Sequence, residues 1–277
     1  MYPERVEALI LDSPTFLEIQ PHEFFVRQVM NSWNLLDEQC PKISGCSAGT
    51  GGTRAIMMEL YERLENEPIA ISMNHPYTGA PLPFLLEGDT MIAAISEGLY
   101  GTEVLDDLPA ILADLRASNT ASLQPYLEQW VSFMLSVDFS DLSMVSHKCF
   151  EEIPFTDAAA MRAELGNLPA GYIRNYAEFW LDAENFCSAM GVEAGPDFMG
   201  ETKGSNVPTL ILQGDLDTVT PTHLTDSQLS KFPNSLPLYF ELAHDVLGST
   251  ACAEIYGARF VATKSLVFED YDCTFGK

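Results

Sequence analysis

Residues 207–223 read Val207-Pro208-Thr209-Leu210-Ile211-Leu212-Gln213-Gly214-Asp215-Leu216-Asp217-Thr218-Val219-Thr220-Pro221-Thr222-His223. A short apolar run without polar alternation, closed by a Gly/Asp turn, predicts a buried parallel strand that empties into a loop. Pro221 helps fix where that loop ends and the next helix begins, because proline suits a first helical turn and breaks a helix interior. A helical stretch follows from Thr222 to Lys231, then a strand from Ser235 to Leu242, then His244 in Leu242-Ala243-His244-Asp245-Val246. A last helix is expected from about Ala251 to Lys264. This β-α-β-α order calls for parallel strands joined by crossover helices.

Working outward, Arg5 to Ser13 (RVEALILDS) is another strand-sized apolar run, ended by Asp12, Ser13 and Pro14. Between the strand-bearing ends the sequence reads mostly as amphipathic helices: Phe24 to Leu36, Thr53 to Leu64, Leu105 to Ala117, Leu123 to Leu135 and Ala158 to Leu165. A short extended pair, Ile69 to Met73 and Leu82 to Leu85, is joined by turn-forming residues. Neither a repeat nor a low-complexity tract interrupts this pattern. The reading is an α/β chain with a core strand in residues 1–16, a helical insertion over 17–205 and further core in 206–277.

Fourteen Lys and Arg against forty Asp and Glu give a formal charge of −26 across 277 residues. Such a surface repels phosphate backbones and anionic lipid, so nucleic acid is excluded as a natural partner. No apolar run approaches the roughly 18 to 20 residues that span a bilayer. Residues 1–6 lack the basic start and apolar stretch of an export signal. Six cysteines fall into neighbouring pairs: Cys40 with Cys46, Cys149 with Cys187 and Cys252 with Cys273. Neighbour pairing is one of many connectivities that six cysteines permit, and reduced, partly buried thiols are the alternative. None of the pairs has the spacing of a zinc site. Disulfides without an export signal predict that further residues precede Met1 in the protein.

Asp217 and His244 carry the clearest chemistry. An acid after one parallel strand and a histidine after the next share one edge of the sheet. A Ser-His-Asp relay needs that placement: the carboxylate holds one imidazole tautomer and stabilises the imidazolium, while the other ring nitrogen takes a serine's proton. From spacing alone, an ordinary turn aspartate and a loop-capping histidine fit equally well. His223 reads as a surface helix residue.

In these motifs the chain resembles the α/β-hydrolases of the tripeptidyl aminopeptidase and prolyl aminopeptidase type. Tyr2 to Asp12 looks like the strand after that family's nucleophile helix. Val207 to Pro221 looks like the strand and turn of its catalytic acid, and His244 matches its histidine, with Ala243 where the family usually has Gly. The Cys40–Cys46 loop, Cys149-Phe150-Glu151 and Cys187 resemble landmarks of the helical cap, and Cys252 to Cys273 resembles the tail of secreted members. The resemblance implies an α/β-hydrolase sheet, here partial, with a large helical cap. It places the acid at Asp217 through the pattern Gly-x-x-Asp-x-x-Thr-Pro, with Asp215 as runner-up. It also implies that Glu151 binds the substrate's N-terminal amine; a solvated surface pair with Glu152 is the alternative.

The nucleophile elbow Gly-x-Ser-x-Gly is expected upstream of Met1, with its oxyanion amides. Gly45-Cys46-Ser47-Ala48-Gly49 matches the pattern, but a polar, proline-broken segment precedes it and Thr50-Gly51-Gly52 follows, so Ser47 reads as a cap-loop residue. Trp33, Trp130 and Trp180 lie in apolar helical stretches, where core packing is the default. The expected activity is that of a secreted or periplasmic serine aminopeptidase acting on peptides with free N-termini, with no cofactor. Cleavage of carboxylic esters or small amides is one rival, and a non-catalytic remnant or binding module is another.

Overall fold

The computed structural model describes residues 5–16, 21–138, 140–166, 177, 180–196 and 203–268. In chain order the elements are β1 (Leu9–Asp12), α1 (Pro21–Glu38), α2 (Gly52–Asn66), β2 (Ile69–Asn74), β3 (Pro81–Leu86), α3 (Gly88–Gly98), α4 (Glu103–Arg116), α5 (Gln124–Met134), α6 (Asp141–Glu151), α7 (Ala158–Leu165), α8 (Ala183–Met190), β4 (Thr209–Gly214), α9 (Thr222–Gln228), β5 (Ser235–Phe240) and α10 (Ala251–Thr263). The protein is thus mixed α/β, with a small parallel sheet and many helices. Its contacts separate into two compact units. One comprises Met1–Ile19, Tyr100–Thr102 and Gly200–Lys277, and the other Gln20–Leu99 and Glu103–Met199.

The first unit is built on a three-stranded parallel sheet in the order β1-β4-β5. Leu9 pairs with Thr209, and Thr209 with Ser235, so the three strands start level, and β4 and β5 run two residues beyond the Asp12 end of β1. Every residue of the central β4 is buried. Its side chains alternate between faces. Leu210 and Leu212 enter a cluster with Phe240, Val246, Ala253 and Phe260. The strand begins two residues later than the sequence suggested. Pro208 has no N–H for the ladder, and its carbonyl serves Leu9 N instead, at 2.9 Å. β1 and β5 are likewise shorter than expected, and the helix expected over Thr222 to Lys231 ends in a 3-10 turn at Leu229–Lys231.

The second unit is almost wholly helical. Apolar residues at helical spacing, such as Leu108, Ile111, Leu112 and Leu115 of α4 and Met57, Leu60 and Leu64 of α2, are completely or nearly completely buried. The caps agree with local chemistry: Asp157 accepts the Ala159 and Ala160 amides at the start of α7, at 2.9 and 3.0 Å. The extended pair is an antiparallel ladder, Ile69 opposite Leu86 through Asn74 opposite Pro81. Trp33 and Trp180 are buried. Among the described residues no helix is long and apolar enough to cross a membrane.

Two of the three expected disulfides are present, Cys40–Cys46 and Cys149–Cys187, with sequence separations of 6 and 38. The third, Cys252 with Cys273, lies outside the described residues because Cys273 does. The longer loop constrains the unfolded chain more, so chain entropy assigns about 4 kcal/mol to Cys149–Cys187 and about 2 kcal/mol to Cys40–Cys46. We therefore expect paired serine replacement at 149 and 187 to lower the urea midpoint of the helical unit more than the same replacement at 40 and 46. Equal losses would mean that unfolded-state entropy is not the source.

Candidate active site

Each strand of the parallel sheet delivers a polar group at its carboxyl end. β1 ends in Asp12 with Ser13 just after it, the β4 turn carries Asp217, and the loop after β5 carries His244. This is the edge where ligands bind in open α/β sheets.

Asp217 has no solvent-accessible side-chain surface, and its environment supplies the donors a buried carboxylate needs. Oδ1 accepts the Val219 and Thr220 amides, both at 2.8 Å, because the loop folds back over its own aspartate. Oδ2 lies 3.0 Å from His244 Nδ1 and 2.7 Å from Thr220 Oγ1. Thr220 has one hydroxyl proton, which serves Oδ2 or the Ser13 carbonyl at 2.9 Å. With the carboxylate accepting, Nδ1 of the imidazole is the protonated nitrogen and Nε2 is left basic.

Electrostatics follow from this arrangement. Burial alone would raise the Asp217 carboxyl, but hydrogen bonds from His244 and Thr220 outweigh it and hold the group below its ordinary value. Burial would likewise lower His244, yet the Asp217 hydrogen bond and charge, helped by Asp245 and Asp12, raise it. The His244 side chain keeps 18% of its surface exposed. Asp245 Oδ1 lies 3.8 Å from Nε2, and the Tyr100 ring stands edge-on to the imidazole, 5.4 Å between centroids. Among the described residues no serine hydroxyl hydrogen-bonds Nε2.

Gln213 completes the scaffold. Fully buried in β4, it donates from Nε2 to the Thr220 carbonyl at 2.8 Å and the Gly214 carbonyl at 3.2 Å, and it accepts the Thr225 hydroxyl at 2.6 Å. Gly214 is needed for a different reason. The Leu242 and Ala243 carbonyls of the histidine loop pass so close to its Cα that any Cβ would collide with them. Ala243 itself lies outside the left-handed region, so its backbone conformation does not demand the glycine usual in the resembled family.

The structure thus brings Asp217 and His244 together. Asp215, the runner-up, is exposed, and its carboxyl is raised by partial burial and by the charges of Glu241 and Asp226. His223 is exposed on α9. Glu151 is exposed at the end of α6 in the helical unit, whereas Glu152 pairs with Lys148 Nζ at 3.0 Å. Ser47 is exposed and hydrogen-bonded with Thr50, as the cap of a short 3-10 turn that no strand precedes. Sequence reasoning missed Asp12, Tyr100 and Gln213, and met Thr220 only as a position of the Gly-x-x-Asp-x-x-Thr-Pro pattern, without its hydrogen bonds to Asp217. Gln213 alone left a signal, as a polar side chain inside a buried strand, which must find partners. No group of three or more His, Cys, Asp or Glu among the described residues is placed to hold a metal ion. The chain matches no family model and no curated protein.

The two titrations set the pH window of the core unit. His244, raised above 6.5, contributes stability that is fully present below that value and fades as pH rises through its raised midpoint. Asp217, lowered below 3.8, contributes stability present above that value and lost as pH falls through its lowered midpoint. We expect the difference in unfolding free energy between the native protein and His244→Gln to be largest between pH 4 and 6.5 and to shrink on both sides. Urea titrations across pH test this, and a pH-independent difference would contradict the charged pair.

Proposed function

We propose that the core unit is the acid–histidine half of a serine hydrolase of the α/β-hydrolase type. Its reaction on this reading is removal of residues or short peptides from free N-termini. The observation that carries the reading is the buried Asp217 hydrogen-bonded to Nδ1 of a partly exposed His244 at a parallel sheet's carboxyl edge.

The chemistry runs as follows. A serine from outside these 277 residues attacks the scissile carbonyl carbon, and Nε2 of His244 takes its proton. Asp217 holds the tautomer and stabilises the imidazolium. His244 then returns the proton to the leaving amine, and water releases the acyl group by the same steps in reverse. Glu151 serves as the anion that holds the substrate's N-terminal ammonium. Two disulfides support an oxidising compartment, secreted or periplasmic.

The test uses the natural full-length protein with a fluorophosphonate probe, fluorogenic aminoacyl and tripeptidyl amides with free or acetylated N-termini, and p-nitrophenyl esters. The expected result is labelling of a serine outside residues 1–277, with turnover of free N-termini that Asp217→Asn reduces by about 10⁴. Because His244 is raised, kcat/KM should climb with pH through a midpoint above 6.5 and then level off. Glu151→Gln should raise KM with little change in kcat. Ester turnover without amide turnover would move the reading to an esterase. Labelling at Ser47, or turnover that survives His244→Ala, would overturn it.

A further inference from the structure

His244 sits on a loop that must leave β5, turn sharply and hold an imidazole within hydrogen-bond distance of a different loop. The turn is made at Asp245, a non-glycine residue with φ +60°, a conformation that persists only where its surroundings impose it. Immediately after it, two successive backbone amides face one carboxylate. Val246 N donates to Asp12 Oδ1 at 3.0 Å and Leu247 N to Asp12 Oδ2 at 2.8 Å. The partners are 234 and 235 residues apart in sequence, so this is a tertiary tether and not a local turn.

We propose that Asp12 is a positioning residue for His244: its carboxylate moors the histidine loop to the carboxyl end of β1 and so keeps Nδ1 on Asp217. Three features support it. An ionised acceptor makes stronger hydrogen bonds than a neutral one, and here both oxygens are used, which fixes direction as well as distance. Asp12 lies on the same face of β1 as Ile10, and Ile10 packs against the cluster that contains Val246, so packing and hydrogen bonding hold the same segment. The carbonyl of the next residue, Ser13, lies 2.9 Å from Thr220 Oγ1, within reach of the one hydroxyl proton it shares as an acceptor with Asp217 Oδ2. Asp12 at the end of β1 and Ser13 just after it therefore face the loops of both partners in the pair.

The mooring also brings charge. The groups facing the imidazole are Asp217 from the β4 turn, Asp12 from β1, Asp245 from its own loop and the Tyr100 ring. All three carboxylates favour the imidazolium. The proposal rests on the hydrolase reading only for its catalytic meaning, because the geometry concerns the imidazole itself.

The test reads His244 directly in the full chain, by NMR titration of ¹³C-histidine-labelled protein, with its resonance assigned through His244→Gln. Asp12→Asn keeps one acceptor oxygen and removes the charge, and Asp12→Ala removes both. Both variants should move the His244 midpoint downward, and Asp12→Ala should speed exchange of the Val246 and Leu247 amides by at least about tenfold, as expected for losing hydrogen bonds to a charged group. If Asp12→Ala does not fold, Asp12→Asn decides by its midpoint. A folded Asp12→Asn with a lowered melting temperature and an unmoved His244 midpoint would reduce Asp12 to a structural tie and overturn the proposal. A shifted midpoint in a protein without hydrolase turnover would sink the hydrolase reading and leave the mooring standing.

Discussion

The hydrogen bond between His244 Nδ1 and Asp217 Oδ2, 3.0 Å long, joins two loops and ends on a carboxylate with no contact with water. A carboxylate taken out of water without donors takes up a proton instead of staying charged. The segment around Asp217 is organised against that outcome. The Val219 and Thr220 amides turn back onto Oδ1, the Thr220 hydroxyl reaches Oδ2, and Gln213 holds the Thr220 carbonyl in place from β4. Pro221 then opens α9 with φ −62°, which stops the loop from drifting further. The spacing Gly-x-x-Asp-x-x-Thr-Pro thus has a physical content. The glycine clears the histidine loop, the aspartate is the acceptor, the threonine supplies two donors and the proline ends the turn.

Much of this fold can be read from local pattern, and the reason is the sheet's parallel topology. A parallel strand flanked by crossover helices is an uninterrupted apolar run, as Leu210 to Leu212 is, and the amphipathic helices of the insertion repeat their apolar residues at helical spacing. Strand limits are less legible, since they depend on which amides find partners: Pro208 moved β4 by having none to offer. The pairing of Asp217 with His244 follows from strand-end logic. Asp12 gives no such sign, because an aspartate ending a strand before Ser-Pro looks like a turn former, and only its partner amides, more than 230 residues away, reveal it. Tyr100 is invisible for a similar reason. It lies in the short segment Tyr100–Thr102, which leaves the helical unit to join the core, and no periodicity marks such an excursion.

Two of the four non-glycine residues with positive φ among the described residues adjoin this pair: Ser13 at +46° and Asp245 at +60°. Each such conformation costs on the order of 1 kcal/mol or more. At both positions the flanking backbone groups are held. Ser13 N donates to the Leu212 carbonyl at 2.9 Å and its own carbonyl lies 2.9 Å from Thr220 Oγ1, and the Asp245 carbonyl receives the Ser249 hydroxyl at 2.6 Å. The strain therefore falls where rigid strand ends pass into the loops that carry function. Glycine at 245 would reach the same φ without strain. It would also remove the carboxylate 3.8 Å from Nε2, one of the charges that raise the imidazole. At that position one residue supplies both the turn and a charge beside the imidazole, and glycine would supply the turn alone.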